Sequence, residues 1–569
     1  MSVESIWTSM ALTGGTSFLL GIVLTPMVIG LARRAGLVAR PRADRWSVRP
    51  TALMGGTAIF GAFAGSLALT GRPFPDLMVP LAAGGLIFLV GLVDDLRSLR
   101  PQHKLLAQVA AACILVAGGV HFGVNGGGAL AWLVTILFVV GITNALNLLD
   151  NMDGLAAGVA SVAALVIAAG AVQAGSGPAA VAASSLAGAT LSFLVFNFHP
   201  ARVFMGDCGS MFLGLMLAAL SIQASVAAST AAAWAVLFPC VALAVPIFDT
   251  TFVTVMRKMH GRAVSQGGCD HTSHRLVRLG LSEPQAVLLL CGVALVTGAL
   301  GVAAMRFHMP MLLVVGALAA AWLLMLGRLL ARVEVYSAEE TSGEPAGAVV
   351  FAQRLHKKQT ATALADVLLA FAAAVLAVEA SGSGYTPAAR WQVALLVGGS
   401  AAGLALAGVY RGVWRHLNLA AFLRLMMGCV LGEGFSLAAV LVTGFAPGLM
   451  PAAIHAGILL LLLSGSRAFY LALSRLLPSP EGWLLVAPPG VDGNGADAVA
   501  RARGLTGTPA GVLTLDVETL PRSLTELERL LSETRPGAVL VASPLLRESV
   551  EEVCRRKGVR CFSPEEIRG

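Results

Sequence analysis

The sequence predicts an all-α, multi-pass membrane protein that ends in a small α/β Rossmann-like domain, and three observations predict this. First, 57% of the 569 residues are apolar and only 12% charged, with a mean hydropathy of +0.80, far from the balance of soluble domains. Second, apolar runs of about 18 to 23 residues, the length that crosses the hydrocarbon core as helix, recur about eleven times up to residue 331 and about four times between residues 362 and 475. Third, from Glu481 onward the composition turns soluble, and short apolar strands alternate with segments of helical periodicity. Four regions follow: a membrane domain over 1–331, a polar linker over 332–361, a four-span membrane module over 362–475 and an α/β domain over 481–569. The 64 glycines suit closely packed spans.

The first apolar run has no basic residue ahead of it and is followed by Arg33, Arg34, Arg40, Arg42, Arg45 and Arg49. This is the reverse of a secretory signal, and it places the end of the first span in the cytosol. Counting from there puts Arg97, Arg100, Lys104, Arg257, Lys258 and Arg262 on the same side. The formal net charge of +8 is therefore positive-inside asymmetry plus attraction for anionic head groups or phosphates, and nucleic acid is not an expected partner. Eight cysteines without metal-ligand spacing imply no disulfide framework. In the tail, Trp483 to Ala487, Val512 to Leu515, Ala538 to Val541 and Val559 to Phe562 read as strands. Ser523 with Glu526 forms a capping box, and Ser543-Pro544 opens a further helix. The turn holding Gly490, Gly493 and Gly495 lacks the spacing of a dinucleotide loop, so a structural or docking role is favoured there.

Four polar clusters interrupt the apolar pattern, all on the side counted as cytosolic. Asp94 and Asp95 end the third span; an Asp at a helix centre costs about 3 kcal/mol on insertion scales, so a cation is expected beside them. A solvated pair balanced by Arg97 is the bland alternative. Asn147, Asp150 and Asp153 recur every third residue, on one helical face or a helix end, and can bind ligand or simply cap. Asp207, between Gly206 and Gly209, offers a hard oxygen to a metal or else caps the span that follows. His271 and His274, followed by Arg275 and Arg278, fit phosphate contact better than zinc, with an inert solvated loop as the alternative.

Arg49-Pro-Thr-Ala-Leu-Met-Gly55-Gly56, Asp94-Asp95 with Lys104 and Gln108, the segment from Asn144 to Gly158, the segment from Phe196 to Ser210 and the His271 loop resemble, in this order, the polyprenyl-phosphate N-acetylhexosamine-1-phosphate transferases. The resemblance covers residues 10 to 330. It implies that Asp94 and Asp95 are catalytic and that Asp207 and Asp150 belong to the metal site, for Mg²⁺ with Mn²⁺ as a substitute. It further implies that Asn147, Asp153, Asn197, Phe204, His271, His274 and Lys104 bind substrate, with Phe204 stacking on uracil. Ser273 stands where many members carry a histidine.

The implied reaction joins undecaprenyl phosphate to the β-phosphorus of a UDP-N-acetylhexosamine, UDP-N-acetylglucosamine being the expected donor, and UMP leaves. A phosphomonoester's second pKa is about 6, so the nucleophile is mostly a dianion near neutral pH. The implied location is the bacterial cytoplasmic membrane, with the site and the C-terminal domain cytosolic; a homodimer is left open. Tyr410, Arg411, Trp414, Arg415 and His416 with their four spans resemble the membrane-anchored front half of nucleotide-sugar epimerases and dehydratases. About ninety soluble residues are too few for that family's catalytic domain, so an accessory module is expected. The rival readings are a transporter with a carboxylate coupling-ion site and a catalytically silent relative acting as an assembly platform.

Overall fold

The computed structural model describes residues 3–39, 50–70, 75–123, 128–228, 235–262, 268–307, 309–331, 333, 335, 358–382, 386–410, 419–443, 449–476, 483–487, 511–514, 524, 527, 538–541, 549–554 and 560–562. Arg40 to Arg49, most of the 332–361 linker, the segment from Arg411 to His416, the glycine-rich turn, the capping box, Ser543-Pro544 and Val559 lie outside the described residues. The described chain forms two compact units. The first comprises residues 1–274, 282–328 and 336–467, and the second comprises 275–281, 329–335 and 468–569.

The first unit begins with α1 (Val3–Arg34), a two-residue ladder of β1 (Val38–Ala39) and β2 (Thr51–Ala52), then α2 (Gly56–Leu69), α3 (Pro75–Arg97), α4 (Pro101–Ala117) and α5 (Ala129–Leu149). It continues through α6 (Leu155–Gln173), α7 (Gly177–Asn197), α8 (Asp207–Ala228), α9 (Leu237–Ala242), α10 (Ala244–Met259), α11 (Thr272–Arg278, shared between the units), α12 (Glu283–Phe307) and α13 (Met309–Leu330). Four long helices follow: α14 (Lys358–Ala380), α15 (Pro387–Leu406), α16 (Leu419–Thr443) and α17 (Leu449–Leu476).

Twelve described helices are long and apolar enough to cross a membrane, so this is a multi-pass membrane protein. The expected number was about fifteen, and the whole shortfall lies before residue 331. Helix α2 has 14 residues, which is about 21 Å of helix, and α4 has 17, beginning with a polar turn that contains His103 and Lys104. The run expected as one span near Pro239 is broken at Leu243 (φ −109°, ψ 26°) into α9 and α10. Pro239 and Pro246 each remove a backbone donor beside that break. Apolar composition alone does not register a break of this kind.

Helix α8 is the axis of the first bundle: nearly every residue from Cys208 to Ser225 is buried, and α2, α3, α5, α6 and α7 pack around it. Phe212 sets its ring edge-on to Phe60 and Phe63, with centroids 5.2 and 5.6 Å apart, and Phe60 stacks on Phe88 at 4.1 Å. Close approach at its first turn depends on Gly91 of α3, where an added Cβ would lie 2.5 Å from the Cα of Cys208. The turn into α8 needs Gly206, whose φ of +76° disfavours any side chain. The β2 segment is sewn to this turn: Phe204 N–H donates to the Ala52 carbonyl (2.8 Å), and Gly55 and Gly56 N–H donate to the carbonyls of Phe204 and Met205 (2.9 and 2.8 Å). The Arg49–Gly56 and Phe204–Ser210 motifs, 150 residues apart in sequence, are thereby joined through backbone bonds.

Helices α14 to α17 form a second bundle within the same unit. Val314, Ala317 and Ala321 of α13 share its apolar cores with Ala365, Leu369, Ala372 and Val375 of α14. Thr386 caps α15, accepting from Ala389 N–H at 3.2 Å, with Pro387 at the first helical position. A buried ion pair crosses this bundle: the Arg467 guanidinium donates to both oxygens of Asp366, at 2.6 and 2.5 Å, with the two side chains 4% and 0% exposed. Burial, reinforced by the Asp366 carboxylate, pushes the Tyr410 phenol above its ordinary pKa. His455 contacts Glu433 at 2.5 Å and the Ala370 carbonyl.

In the second unit, β3 (Trp483–Ala487), β4 (Gly511–Thr514), β5 (Ala538–Val541) and β6 (Arg560–Phe562) form a parallel sheet in the order β4-β3-β5-β6. Val486, Val539 and Val541 pack there with Leu527, Val550, Val553 and Cys554.

A charge left alone in an apolar bundle costs far more than the pair is worth. Asp366→Ala and Arg467→Met should each destabilise the protein by about 3 kcal/mol, whereas Asp366→Leu combined with Arg467→Met recovers most of the loss. Thermal unfolding of the full chain in detergent measures all three.

Candidate active site

Five of the expected residues meet where the C-terminal ends of α3 and α5 adjoin the N-terminal ends of α4 and α8. Asp95 spends both oxygens on the start of α8: Oδ1 accepts the Asp207 N–H at 2.8 Å and Oδ2 the Cys208 N–H at 3.1 Å. A carboxylate there satisfies two donors that the helix cannot and lies at the positive end of its dipole. Asp207 therefore does not serve as its own helix cap, and its side chain is released for other contacts. Its Oδ2 accepts from Lys104 Nζ at 2.8 Å and its Oδ1 from the Asn147 amide at 3.1 Å. Asn147 also donates to Ser210 Oγ at 2.9 Å.

Asp94 points away from its neighbour, as successive residues on a helix must. Its Oδ1 accepts the Leu99 N–H at 2.5 Å, and its Oδ2 lies 3.1 Å from Lys104 Nζ. One ammonium thus bridges Asp94 and Asp207, with side chains 25%, 12% and 27% exposed, so the cluster is open to a ligand. The cation found beside the paired aspartates is Lys104, which reaches Asp94 and not Asp95, and no contact of Arg97 with either is found among the described residues. Two carboxylates on one ammonium leave one negative charge uncompensated.

A second group joins the turn after α5 to the loop after α7. Asp150 occupies the C-cap position of α5 and is half-buried. Asn197 is 3% exposed; its Oδ1 accepts the Gly154 N–H at 3.1 Å and its amide donates to the Val203 carbonyl at 2.8 Å, so it ties the two loops together. Asp153 Oδ2 accepts the Ala201 N–H at 2.9 Å and lies 3.4 Å from His199 Nδ1, which in turn lies 3.2 Å from Glu283 Oε2. Phe204 is half-buried, with its backbone pinned on both sides by the β2 segment.

The histidine segment is buried, which overturns the inert solvated loop. His271 and His274 are 5% and 4% exposed, with rings 6.3 Å apart. Asp249, buried in α10, accepts from the Thr272 N–H at 2.7 Å and contacts His271 Nδ1 at 2.8 Å. Arg257 clamps Asp270 through two bonds of 2.8 and 2.7 Å. Ser273 donates to Asn151 Oδ1 at 2.7 Å, which fastens the segment beside Asp150 and Asp153. Arg275, read in sequence with the phosphate-contacting segment, is fully buried and donates to the carbonyls of Leu330 and Val333, at 3.2 and 2.7 Å. Sequence reasoning missed Asp249, Asn151, His199 and Glu283. Asn151 and His199 lay inside the motif segments without being singled out, and Asp249 carried a signal as a lone carboxylate inside an apolar run, whereas Glu283 carried none.

The residues present fit a hard divalent cation. Mg²⁺ is held by one or two carboxylates, with waters and substrate phosphates completing its shell, and Asp207 presents such a carboxylate in a cluster that keeps one residual negative charge. Lys104 lies between them as the positive charge of the cluster.

A family model for glycosyl transferase family 4 matches residues 77–225, which contain every residue of the carboxylate–lysine cluster. A probable undecaprenyl-phosphate N-acetylglucosaminyl 1-phosphate transferase of Bacillus subtilis is 35% identical over 285 residues, covering 48% of this chain and 79% of that protein. The decaprenyl-phosphate N-acetylglucosaminephosphotransferase of Mycolicibacterium smegmatis is 36% identical, covering 49% and 78%. A phospho-N-acetylmuramoyl-pentapeptide-transferase of Desulforudis audaxviator is 32% identical over 335 residues, covering 51% of this chain and 97% of that protein. Residues after 225, the histidine segment and everything beyond residue 330 included, fall outside the family model. With nearly four-fifths of the first two relatives matched and five motif residues drawn into one cluster, the chain belongs to glycosyl transferase family 4, as a membrane-embedded glycosyl-1-phosphate transferase.

Proposed function

We propose that this enzyme transfers N-acetylglucosamine 1-phosphate from UDP-N-acetylglucosamine to undecaprenyl phosphate at the cytosolic face of a bacterial inner membrane, starting a cell-envelope glycan. The observation that carries the reading is the Lys104 bridge between Asp94 and Asp207 at one end of an apolar bundle. A lipid-borne phosphate arrives from the bilayer, a water-soluble donor arrives from the aqueous side, and both must be held as anions. The names of the relatives from Bacillus subtilis and Mycolicibacterium smegmatis support the lipid phosphate and the sugar.

In the reaction, a phosphate oxygen of the lipid forms a bond to the β-phosphorus of the donor. The bond from that phosphorus to the oxygen bridging to the α-phosphate breaks, and UMP leaves with that oxygen. The nucleophile is already largely a dianion, so positioning and charge neutralisation contribute more than proton removal. Lys104 neutralises phosphate charge and is aimed by Asp94. Asn147 fixes the Asp207 carboxylate, and Asp95 fixes the backbone from which Asp207 projects. Asp249 holds His271 through Nδ1, which leaves Nε2 for a phosphate oxygen. Asp153 and Phe204 receive the uridine, with Phe204 stacking on the base, while Asn197 shapes that pocket from behind and His274 lines the phosphate side. Mg²⁺, which Mn²⁺ can replace, would be held by Asp207 with Asp150 as a second carboxylate and supplies further neutralisation of the diphosphate. The C-terminal α/β unit, read as Rossmann-like, and the four-helix module serve as accessory parts.

Purified protein with undecaprenyl phosphate, UDP-N-acetylglucosamine and Mg²⁺ should release UMP. Chelation should stop the release and Mg²⁺ restore it, and Asp207→Asn should lower turnover by about a thousandfold. Unchanged UMP release in Asp207→Asn, or a different preferred sugar in a panel of UDP-sugars, would refute the corresponding part of the reading. The two neighbouring aspartates should separate. Asp95→Ala strands two helix-terminal N–H groups and lowers stability by about 2 kcal/mol together with activity, whereas Lys104→Arg, which keeps the charge between Asp94 and Asp207, lowers activity and leaves the unfolding temperature nearly unchanged. Thermal scans alongside turnover measurements distinguish the two.

A further inference from the structure

The group Asp153, His199 and Glu283 lies apart from the carboxylate–lysine cluster, and the reaction derived above assigns no work to His199 or Glu283. Asp153 follows α5, His199 lies in the loop after α7, and Glu283 opens α12. Asp153 Oδ2 takes the Ala201 N–H at 2.9 Å and faces His199 Nδ1 at 3.4 Å. The same nitrogen faces Glu283 Oε2 at 3.2 Å. Neither approach is a hydrogen bond, and Glu283 Oε2 is buried without a hydrogen-bond partner among the described residues, so the imidazole meets the two carboxylates at ion-pair distance. His199 is 37% exposed in its side chain, whereas Asp153 and Glu283 are each 14% exposed, so the imidazole borders the opening and the carboxylates lie behind it.

Both contacts to Asp153 fall on Oδ2. Its Oδ1 has no hydrogen bond among the described residues and is the oxygen left to accept from a ligand. The ring N–H of a uracil is a donor that such an oxygen matches. Without a partner on Oδ2, the carboxylate could rotate about its terminal torsion, which is broad for Asp. The Ala201 N–H fixes one direction; the imidazole adds an ion-pair contact at 3.4 Å, and Glu283 holds the imidazole by a second such contact at 3.2 Å.

We propose that His199 is a positioning residue for the nucleotide, acting through Asp153, and that Glu283 holds it in place, so that the first turn of α12 sets donor affinity without touching the reacting phosphates. The proposal rests on the reading of Asp153 as a uridine contact. The three side chains also bring ligand-type atoms within 4.8 Å of one another, so a metal there is the rival that the test must expose.

The full chain in detergent is assayed for turnover, with donor and lipid varied separately, and for binding of radiolabelled UMP by equilibrium dialysis. His199→Phe should raise the donor KM and the UMP Kd about fivefold, the scale of one partly exposed ion pair, with kcat within about twofold and the lipid KM unchanged. His199→Asn, whose amide can donate from near the Nδ1 position, should restore most of the affinity. Glu283→Gln should weaken UMP in the same direction and add nothing in the His199→Phe background; it also gives the readout if His199→Phe fails to fold. Loss of kcat at unchanged donor KM, additive effects of the two substitutions, or a wild-type UMP affinity that falls on chelation and returns with added Zn²⁺ or Mn²⁺ would overturn the proposal. Because UMP binding is read without turnover, a wild type that binds UMP through His199 yet transfers nothing refutes the proposed reaction and upholds this inference.

Discussion

The Asp95 carboxylate across the N-terminus of α8 is the contact on which the site depends. Backbone donors at the start of a helix buried among apolar helices have no water to turn to, and leaving two unsatisfied costs a few kcal/mol. By supplying both acceptors from α3, Asp95 fixes the height and direction of α8 relative to α3. It also frees Asp207 from capping. Every further contact in the cluster, from Lys104 to Asn147, follows from where that places the Asp207 side chain.

Adjacent acidic residues of the same type thus acquire different work from the helix that carries them. Asp95 faces the interior and holds backbone; Asp94, about a hundred degrees round the helix, faces the opening and holds Lys104. The Asp94–Lys104–Asp207 bridge keeps one residual negative charge, which the proposed divalent cation would meet, and the lysine holds the two carboxylates together. In a medium where isolated charges are expensive, a bridged arrangement is stable and still unsatisfied enough to attract a ligand.

A similar logic recurs in the buried pairs around the site. Asp249 orients His271, Arg257 clamps Asp270, and Asn151 receives Ser273, so that the histidine segment is fastened to α10 and to the turn after α5 at separate points. Ser273 donates to Asn151, so that the segment is fastened there by a neutral hydrogen bond. Arg467 and Asp366 show the same economy in the four-helix module, where neither charge is exposed and each accounts for the other.

Composition and the lengths of apolar runs were enough to establish a multi-pass helical membrane protein, because the bilayer imposes one length on any helix that spans it. Polar residues that no lipid-facing helix tolerates singled out Asp94, Asp95, Asn147 and Asp207, the resemblance added Lys104, and the structure brings these five together. The four spans after residue 358 were legible too, whereas α2, α4 and the break between α9 and α10 were not, since hydropathy reports burial in apolar surroundings and is blind to whether a helix runs unbroken through them. What only the tertiary structure decided is the direction of each polar side chain: that Asp95 caps while Asp94 and Asp207 share a lysine, that Asn197 is a tie between loops, that Arg275 is consumed by carbonyls, and that Asp249, His199 and Glu283 belong near the site at all. Sequence spacing orders residues along one helix, but these partners come from helices up to 130 residues apart, and their pairing is fixed by which helix ends are packed together and by the need of every buried polar atom for a partner.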